Sequence, residues 1–217
     1  MKEEHIPYGF EKCSSAEVEA KAGALLNSMQ KRRSLRFFSE EDVSKQTIAD
    51  LLNVASSAPS GANKQPWTFV AISNVELKKR IREAAEKEEQ QFYGGRASDT
   101  WLADLAPLGT DWQKPFIETA PWIVVVFRKT LDDDGSKNYY VQESVGIACG
   151  FLISAIHQAG LVTLTHTPSP MNFLSEILKR PANEKPYLLL PIGFPAADAT
   201  VPNIKKKDSS EVIFYFE

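Results

Sequence analysis

The sequence predicts an α+β fold in which helices surround a mixed β-sheet. Apolar residues recur at helical spacing in several segments, and these segments alternate with short apolar runs typical of strands. The run Trp122–Phe127 is continuously apolar and rich in β-branched residues, which indicates a strand covered on both faces. The chain has 217 residues, enough to bury a sizeable core, and we expect one domain over residues 1–217.

The predicted helices follow from capping signals and apolar stripes. Ser14 and Glu17 form a capping box before a first helix that ends near Met29. Asn74 is the predicted N-cap of a third helix, and Gly160 is expected to end the fourth in a left-handed conformation. Apart from that first helix, helical segments are predicted over 44–59, from 74 onward, over 138–159 and over 173–178.

Strands are predicted over 67–72, 122–127, 161–167 and 187–192. The loop Ala58–Trp67 connects the second helix to the first strand. Gly61 in this loop is expected to adopt a positive φ and to allow a ligand to approach the backbone closely. Taken alone, this loop is equally compatible with an ordinary turn.

Two segments depart from this regular pattern. Beyond Glu86 the apolar stripe of the third helix ends, and residues 86–115 are predicted to form a mobile, partly helical lid. The tail 201–217 carries Lys205–Lys207 and ends in the apolar run Val212–Phe216, which we expect to pack on or pair with the sheet of a partner subunit.

Composition excludes several classes of protein. The formal net charge is −3 with 43% hydrophobic residues, and nothing indicates nucleic-acid binding. The two cysteines lie far apart, which favours a reducing compartment, and no run of 18 apolar residues predicts a membrane span, so we expect a cytoplasmic protein. The three histidines lack metal-ligand spacing, and dinucleotide, P-loop, H-E-x-x-H and C-x-x-C motifs are absent.

A dense basic run at residues 31–36 suggests an anion-binding site. It contains Lys31, Arg32, Arg33 and Arg36, with Ser34 among them. Forked arginine donors suit a phosphate group. The alternative is a solvated basic face, since cations at a helix carboxyl end also complement the macrodipole.

Four motifs together resemble the iodotyrosine deiodinase branch of the nitroreductase-like flavoproteins, over about residues 29–207. They are Arg-Arg-Ser-x-Arg, Pro-Ser-Gly-Ala…Gln-Pro-Trp, Glu89…Tyr93…Lys114 and Leu161-Val162-Thr163…Thr165-His166-Thr167-Pro168. The resemblance implies a nitroreductase-like fold, an intertwined homodimer with an exchanged carboxy-terminal extension (201–217), and FMN as cofactor. It also implies reductive removal of iodide from iodotyrosines.

The resemblance also implies which residues bind FMN. The phosphate, ribityl chain and pyrimidine edge would be bound by Arg32, Arg33, Ser34 and Arg36. Ser60 would come from the other subunit, and Lys206 stands where the family usually has an arginine. Thr167 matches the hydroxyl directed at flavin N5 and is flanked by Thr165 and His166. Without the resemblance, the favoured interpretation of Thr167 is a β-branched strand residue in the core.

The implied substrate is the zwitterion of a halotyrosine. Glu89 would bind the ammonium group, Lys114 with Tyr93 would bind the carboxylate, and the backbone N–H of Ala62 would bind the phenolate oxygen. Spacing alone favours an exposed i,i+4 pair of Glu89 and Tyr93 near an unrelated lysine, and the resemblance favours the binding role.

Two other functions remain open from the sequence. One is a general nitroreductase or quinone reductase that oxidises NAD(P)H, and the other is a flavin- or halotyrosine-binding protein without turnover. Because the sequence has no dinucleotide motif, a separate NAD(P)H-dependent flavin reductase is the expected electron donor for a dehalogenase.

Overall fold

A computed structural model describes residues 5–217. The helices are α1 (Ser15–Met29), α2 (Lys45–Ser56), α3 (Val75–Gln91), α4 (Asp99–Leu105), α5 (Phe116–Thr119), α6 (Val141–Gln158) and α7 (Asn172–Ile177). The strands are β1 (Trp67–Ile72), β2 (Trp122–Lys129), β3 (Val162–Thr163) and β4 (Glu184–Gly193). The chain divides into two compact units at Arg32/Arg33. The expectation of a single domain over 1–217 stays a prediction.

The first unit contains α1, and its capping box is confirmed. The Ser14 hydroxyl accepts a hydrogen bond from the Glu17 backbone N–H at 3.3 Å, and the Glu17 carboxylate accepts one from the Ser14 N–H at 2.8 Å. None of the residues of α1 is buried, and Val18 and Leu25 of its apolar stripe are 54% and 55% exposed. The stripe therefore predicts the helix correctly, but it does not contribute to the described core.

Within residues 5–217, four strands form one sheet in the order β1-β2-β4-β3, and each neighbouring pair is antiparallel. A parallel bridge between Ser34 and Thr163 adds the segment before α2 to the β3 edge. The Leu35 backbone N–H donates to the Thr163 carbonyl at 3.1 Å. The predicted α+β architecture is confirmed, and this edge gives the sheet its mixed character.

Helices cover both faces of the sheet, as the continuous apolar run in β2 predicts. Val124 and Val126 pack in a core with α2 and α6, whereas Ile123, Val125 and Phe127 pack in a core with α3, α5 and α7. All five side chains have no exposed surface. Alternate residues of one strand therefore stabilise two separate helical layers.

The strand predicted over 161–167 is the main difference in secondary structure. β3 has only two residues, Val162 and Thr163, after which the chain leaves the regular ladder. It returns for one bridge, in which the backbone N–H and carbonyl of His166 pair with Leu189 at 2.9 and 3.0 Å. Gly160 adopts a φ of 79°, so the predicted left-handed end of α6 is confirmed.

The lid (86–115) is partly helical, as its sequence predicts. The helix α3 extends to Gln91, a π-helical turn follows at Phe92–Arg96, and α4 leads into a 3₁₀ turn at Ala106–Leu108. None of the residues 86–113 is buried. The mobility of the lid stays a prediction.

Among residues 5–217, no helix combines the length and apolar character needed to cross a membrane. The same part of the chain contains no group of three or more His, Cys, Asp or Glu side chains arranged to hold a metal ion. Cys13 and Cys149 are both free thiols.

Candidate active site

A cavity of about 360 Å³ lies between the lid, α5 and the segment that follows β3. The polar side chains that line it are Arg36, Glu88, Glu89, Tyr93, Thr110, Lys114, Thr165, His166, Thr167 and Ser169. Its apolar lining consists of Phe92, Trp101, Leu105, Phe116, Leu164 and Met171. Residues predicted from three separate motifs therefore meet in one cavity.

An ion pair between Glu89 and Lys114 occupies the lid side of the cavity. The Lys114 Nζ lies 3.3 Å from the Glu89 Oε2, and the side chains are only 7% and 13% exposed. Burial raises the pKa of Glu89 and lowers the pKa of Lys114, and the attraction between them opposes both shifts. Each group is therefore poised to bind an opposite charge in a site where water is scarce.

Two hydrogen bonds hold Lys114 at the far end of the lid. Its N–H donates to the Glu86 carboxylate at 2.7 Å, and its Nζ donates to the Asp111 carbonyl. The Glu86 carboxylate also accepts from Arg82 one turn earlier on α3, at 2.8 Å. The end of α3 and the end of the lid are thus joined by polar contacts.

Tyr93 lies between these charges and the aromatic part of the lid. Its hydroxyl lies 3.0 Å from the Thr110 Oγ1, and the Lys114 Nζ lies 5.5 Å from its ring centroid. Phe92 contacts Tyr93 and Trp101 edge-on, with centroids 5.3 and 5.0 Å apart. The alternative of an exposed Glu89/Tyr93 pair with an unrelated lysine is therefore wrong.

Arg36 is the residue of the basic run that lines this cavity. It follows the Ser34–Thr163 bridge, which directs this segment along the β3 edge. Burial lowers its pKa, although an arginine remains charged. Its charge also lowers the pKa of Lys114 and His166.

The segment Leu164–Ser169 forms the opposite wall. Thr165 and Thr167 are exposed and line the cavity, whereas His166 is buried between them. Thr167 is therefore not a core residue. Burial, with Lys114 and Arg36, lowers the pKa of His166 to about 3, so its ring is neutral at physiological pH.

The His166 ring contacts Phe116 edge-on at 5.4 Å. Its Nε2 is buried and has no hydrogen-bond partner within the described part of the chain. His166 is thus a neutral, buried ring in the wall, and its two neighbours line the cavity with exposed side chains.

The remaining predicted cofactor residues lie elsewhere in the chain. The Arg33 guanidinium donates to the Pro202 carbonyl, which brings the basic run to the segment that carries Lys206. Ser34 and Lys206 are exposed, and Arg32 belongs to the first compact unit. Their contribution to a cofactor site stays a prediction.

The Ser60–Gln65 loop has a left-handed backbone at residues other than its glycine. Ala62, Asn63 and Gln65 have φ values of 50°, 54° and 47°, whereas Gly61 is not among the positive-φ residues. A Cβ on Gly61 would lie 2.7 Å from the Tyr140 Cδ2, so glycine is required there by a close approach of protein rather than ligand. The Ser60 hydroxyl accepts a hydrogen bond from the Gln65 N–H at 2.9 Å. Strained loops of this kind cluster at functional sites.

Sequence reasoning missed Glu88, Thr110 and Ser169, which also line the cavity. Thr110 was detectable only through its bond to Tyr93, because polar contacts across 17 residues of irregular chain leave no periodic signal.

Comparisons with known proteins agree with the fold. A model of the nitroreductase family matches residues 29–194. An iodotyrosine deiodinase of Haliscomenobacter hydrossis is 54% identical over 215 residues, which cover 97% of each chain. The iodotyrosine deiodinase of Nematostella vectensis is 44% identical and aligns with 96% of this chain and 82% of that protein.

The fold is also similar to that of a solved structure. It is an oxidised iodotyrosine deiodinase bound to FMN and 3-iodo-L-tyrosine, with a TM-score of 0.76 and 29% identity, and the match covers 89% of this chain and 98% of that one. The chain therefore belongs to the nitroreductase family and, within it, to the iodotyrosine deiodinases.

Proposed function

We propose that this protein is an FMN-dependent reductive dehalogenase of halotyrosines, acting chiefly on mono- and diiodotyrosine and releasing tyrosine and iodide. The observation that carries the proposal is the largely buried Glu89–Lys114 pair beside Tyr93, in the same cavity as Thr167. Relatives named iodotyrosine deiodinase support it, and a solved one has FMN and 3-iodo-L-tyrosine bound.

The lid groups suit an amino-acid zwitterion. Glu89 would accept hydrogen bonds from the ammonium group, and Lys114 with Tyr93 would donate to the carboxylate. The ligand would replace one internal ion pair with two external pairs, so neither buried charge loses its partner. A ligand that lacks either charge would leave Glu89 or Lys114 buried and unpaired, which is unfavourable. The same contacts would exclude water above the substrate ring.

The donors of this chain fit FMN. Arg36 places a half-buried cation at the cavity, and Thr165 and Thr167 supply exposed hydroxyls. Arg32, Arg33 and Ser34 precede them in the chain, and we assign this run, with Lys206, to the phosphate, ribityl chain and pyrimidine edge. When bound, FMN would supply the two electrons that, with one proton, convert the carbon–iodine bond into carbon–hydrogen and iodide.

Thr167 is the proposed catalytic residue, because its hydroxyl would donate to flavin N5. His166 would fix this hydroxyl through its two backbone hydrogen bonds to Leu189. From the second subunit, Ser60 would complete the FMN site, and the Ala62 N–H would bind the phenolate oxygen.

The proposed assembly is an intertwined homodimer with exchanged 201–217 extensions. Ile147 and Phe151 on α6 are 44% and 39% exposed, and Phe214 and Phe216 in the tail are 74% and 98% exposed. Apolar surface of this kind is typical of a subunit interface. Size-exclusion chromatography with light scattering tests the dimer, and deletion of 212–217 should weaken it.

Two further expectations belong to this proposal. The electron donor would be a separate NAD(P)H-dependent flavin reductase, and the compartment would be the cytoplasm, for which the free thiols Cys13 and Cys149 are the support.

The deciding experiment is anaerobic. The FMN-loaded protein is reduced with dithionite and mixed with 3-iodotyrosine, and tyrosine and flavin oxidation are followed together. We expect one tyrosine per flavin reoxidised. If 3-iodotyrosine stays intact while nitroaromatics reoxidise the flavin, the protein is a general nitroreductase. If 3-iodotyrosine binds and neither substrate reacts, the protein is a binding protein.

A further inference from the structure

Arg96 connects three parts of the active-site region, although it lies outside the cavity lining. It ends the π-helical turn of the lid. Its Nη1 lies 3.1 Å from the Glu88 carboxylate, and its Nη2 donates to the Glu88 carbonyl at 3.0 Å. The same Nη2 donates to the Ser169 carbonyl. One guanidinium thus joins the lid turn, the end of α3 and the segment that follows Thr167.

The partners of Arg96 adjoin residues of the proposed chemistry. Glu88 precedes Glu89, and Ser169 is two residues beyond Thr167. Pro168 lies between Thr167 and Ser169, is buried, and has its φ fixed by its ring. A stiff connection of this kind transmits a displacement of the Ser169 carbonyl to Thr167.

The Arg96 contacts are suited to geometry rather than to stability. The Arg96 and Glu88 side chains are 38% and 24% exposed, and ion pairs exposed to this extent contribute little to stability. A planar fork can bind a carboxylate and two carbonyls at once, whereas a lysine presents a single charged point. The arrangement therefore requires arginine for its shape.

We infer that Arg96 is a positioning residue for Thr167: its guanidinium couples the lid turn to the segment that carries Thr167, and loss of the fork displaces the Thr167 hydroxyl. This inference rests on the proposed function.

The coupling is tested first without substrate, by hydrogen–deuterium exchange on the FMN-loaded protein. Arg96→Met should raise exchange roughly threefold in the lid and also in residues 164–175. Arg96→Lys should behave similarly, because the fork is lost. Arg80→Met is the matched control, since Arg80 is exposed on α3, and it should change neither segment. A rise confined to the lid would show that Arg96 acts only within the lid.

A double-mutant cycle with Thr167→Val tests the catalytic consequence. Arg96→Met alone should lower kcat for 3-iodotyrosine roughly tenfold, and in the Thr167→Val background by less than about twofold, because coupled residues are not additive. Additive effects would overturn the coupling. If the wild-type protein does not dehalogenate 3-iodotyrosine, the proposed function fails, and the exchange experiment still decides whether Arg96 joins the two segments.

Discussion

The sheet and the lid are held in place by different kinds of contact. In β2, residues 123–127 have no exposed surface and pack against helices on both faces. In the lid, residues 86–113 are all at least partly exposed, and ion pairs and hydrogen bonds such as Glu89–Lys114 and Tyr93–Thr110 hold it in place.

This difference separates stability from recognition. Apolar burial has no ligand equivalent and stabilises the fold whether or not a ligand is bound. Polar lid contacts can be exchanged for contacts with a charged ligand, so we expect the lid to belong to the part of the protein that opens at low free energy. Substitutions in the two regions should therefore affect different measurements.

The largest effect is expected in the sheet. Ile123→Ala should lower the free energy of unfolding by about 4 kcal/mol, because it leaves a cavity in a fully buried layer. Urea unfolding measures this, with the exposed Val54→Ala as control. Affinity of the folded protein for 3-iodotyrosine should not change, and a parallel loss of affinity would contradict the separation of the two regions.

His166 lies where the core meets the cavity and should make stability depend on pH. The folded-state pKa is lowered from 6.5 to about 3, so below pH 6.5 the unfolded chain takes up a proton that the folded chain excludes. Stability present above pH 6.5 is therefore lost towards pH 3, at roughly 1.4 kcal/mol per pH unit and roughly 3 kcal/mol by pH 4. His166→Gln should flatten this profile in urea unfolding, and His5→Gln should not.

Glu89→Gln should act on recognition. It removes the partner of the ligand ammonium group, so the affinity for 3-iodotyrosine should fall roughly 100-fold, equivalent to about 2.7 kcal/mol. Titration of the FMN-loaded protein measures the affinity. Glu83→Gln, on the exposed side of the same helix, should bind like the wild type. Unchanged affinity in Glu89→Gln would mean that Glu89 does not bind the ammonium group of the ligand.

The smallest effect is expected for one hydrogen bond within the lid. Tyr93→Phe removes the bond to Thr110 and should favour opening by about 1 kcal/mol. Chymotrypsin cleavage of the ligand-free lid should accelerate roughly fivefold, while urea unfolding stays unchanged. Thr110→Val removes the same bond from the other side and should match it. Unequal effects would show that the two hydroxyls have other roles.

The same contrast explains what the sequence predicts well. The continuous apolar run of β2 and the stripes of α2 and α3 are direct consequences of burial on defined faces, and their positions are confirmed within a few residues. The prediction for 161–167 was too long because burial still alternates at Leu164, Thr165, His166 and Thr167 after regular pairing has ended. Alternating apolar and polar residues indicate which face of a segment is buried. They do not indicate whether its backbone forms the hydrogen bonds of a β-sheet.

Site residues were predictable only where they belong to a family motif. Resemblance to a family indicated Glu89, Tyr93 and Lys114, but apolar periodicity gave no sign that they meet. Thr110 and Arg96 were missed because a hydrogen bond between distant polar residues leaves no repeating pattern. Arg33, Ser60 and Lys206 remain predictions, because the structure describes one chain and the proposed cofactor site also draws on a second subunit.

The Glu89–Lys114 pair has a consequence for how activities diverge on this fold. The internal ion pair competes with any ligand that must separate Glu89 from Lys114. A neutral aromatic compound offers no charge to either side chain, so its binding does not compensate for the lost pair. Replacing both charges together, as in Glu89→Leu with Lys114→Met, leaves no orphaned ion, and apolar replacement of a buried pair is often neutral for stability. Two substitutions would thus convert a cavity that selects zwitterions into one that accepts neutral aromatic compounds. Evolution can broaden the range of ligands in this way without lowering the stability of the fold.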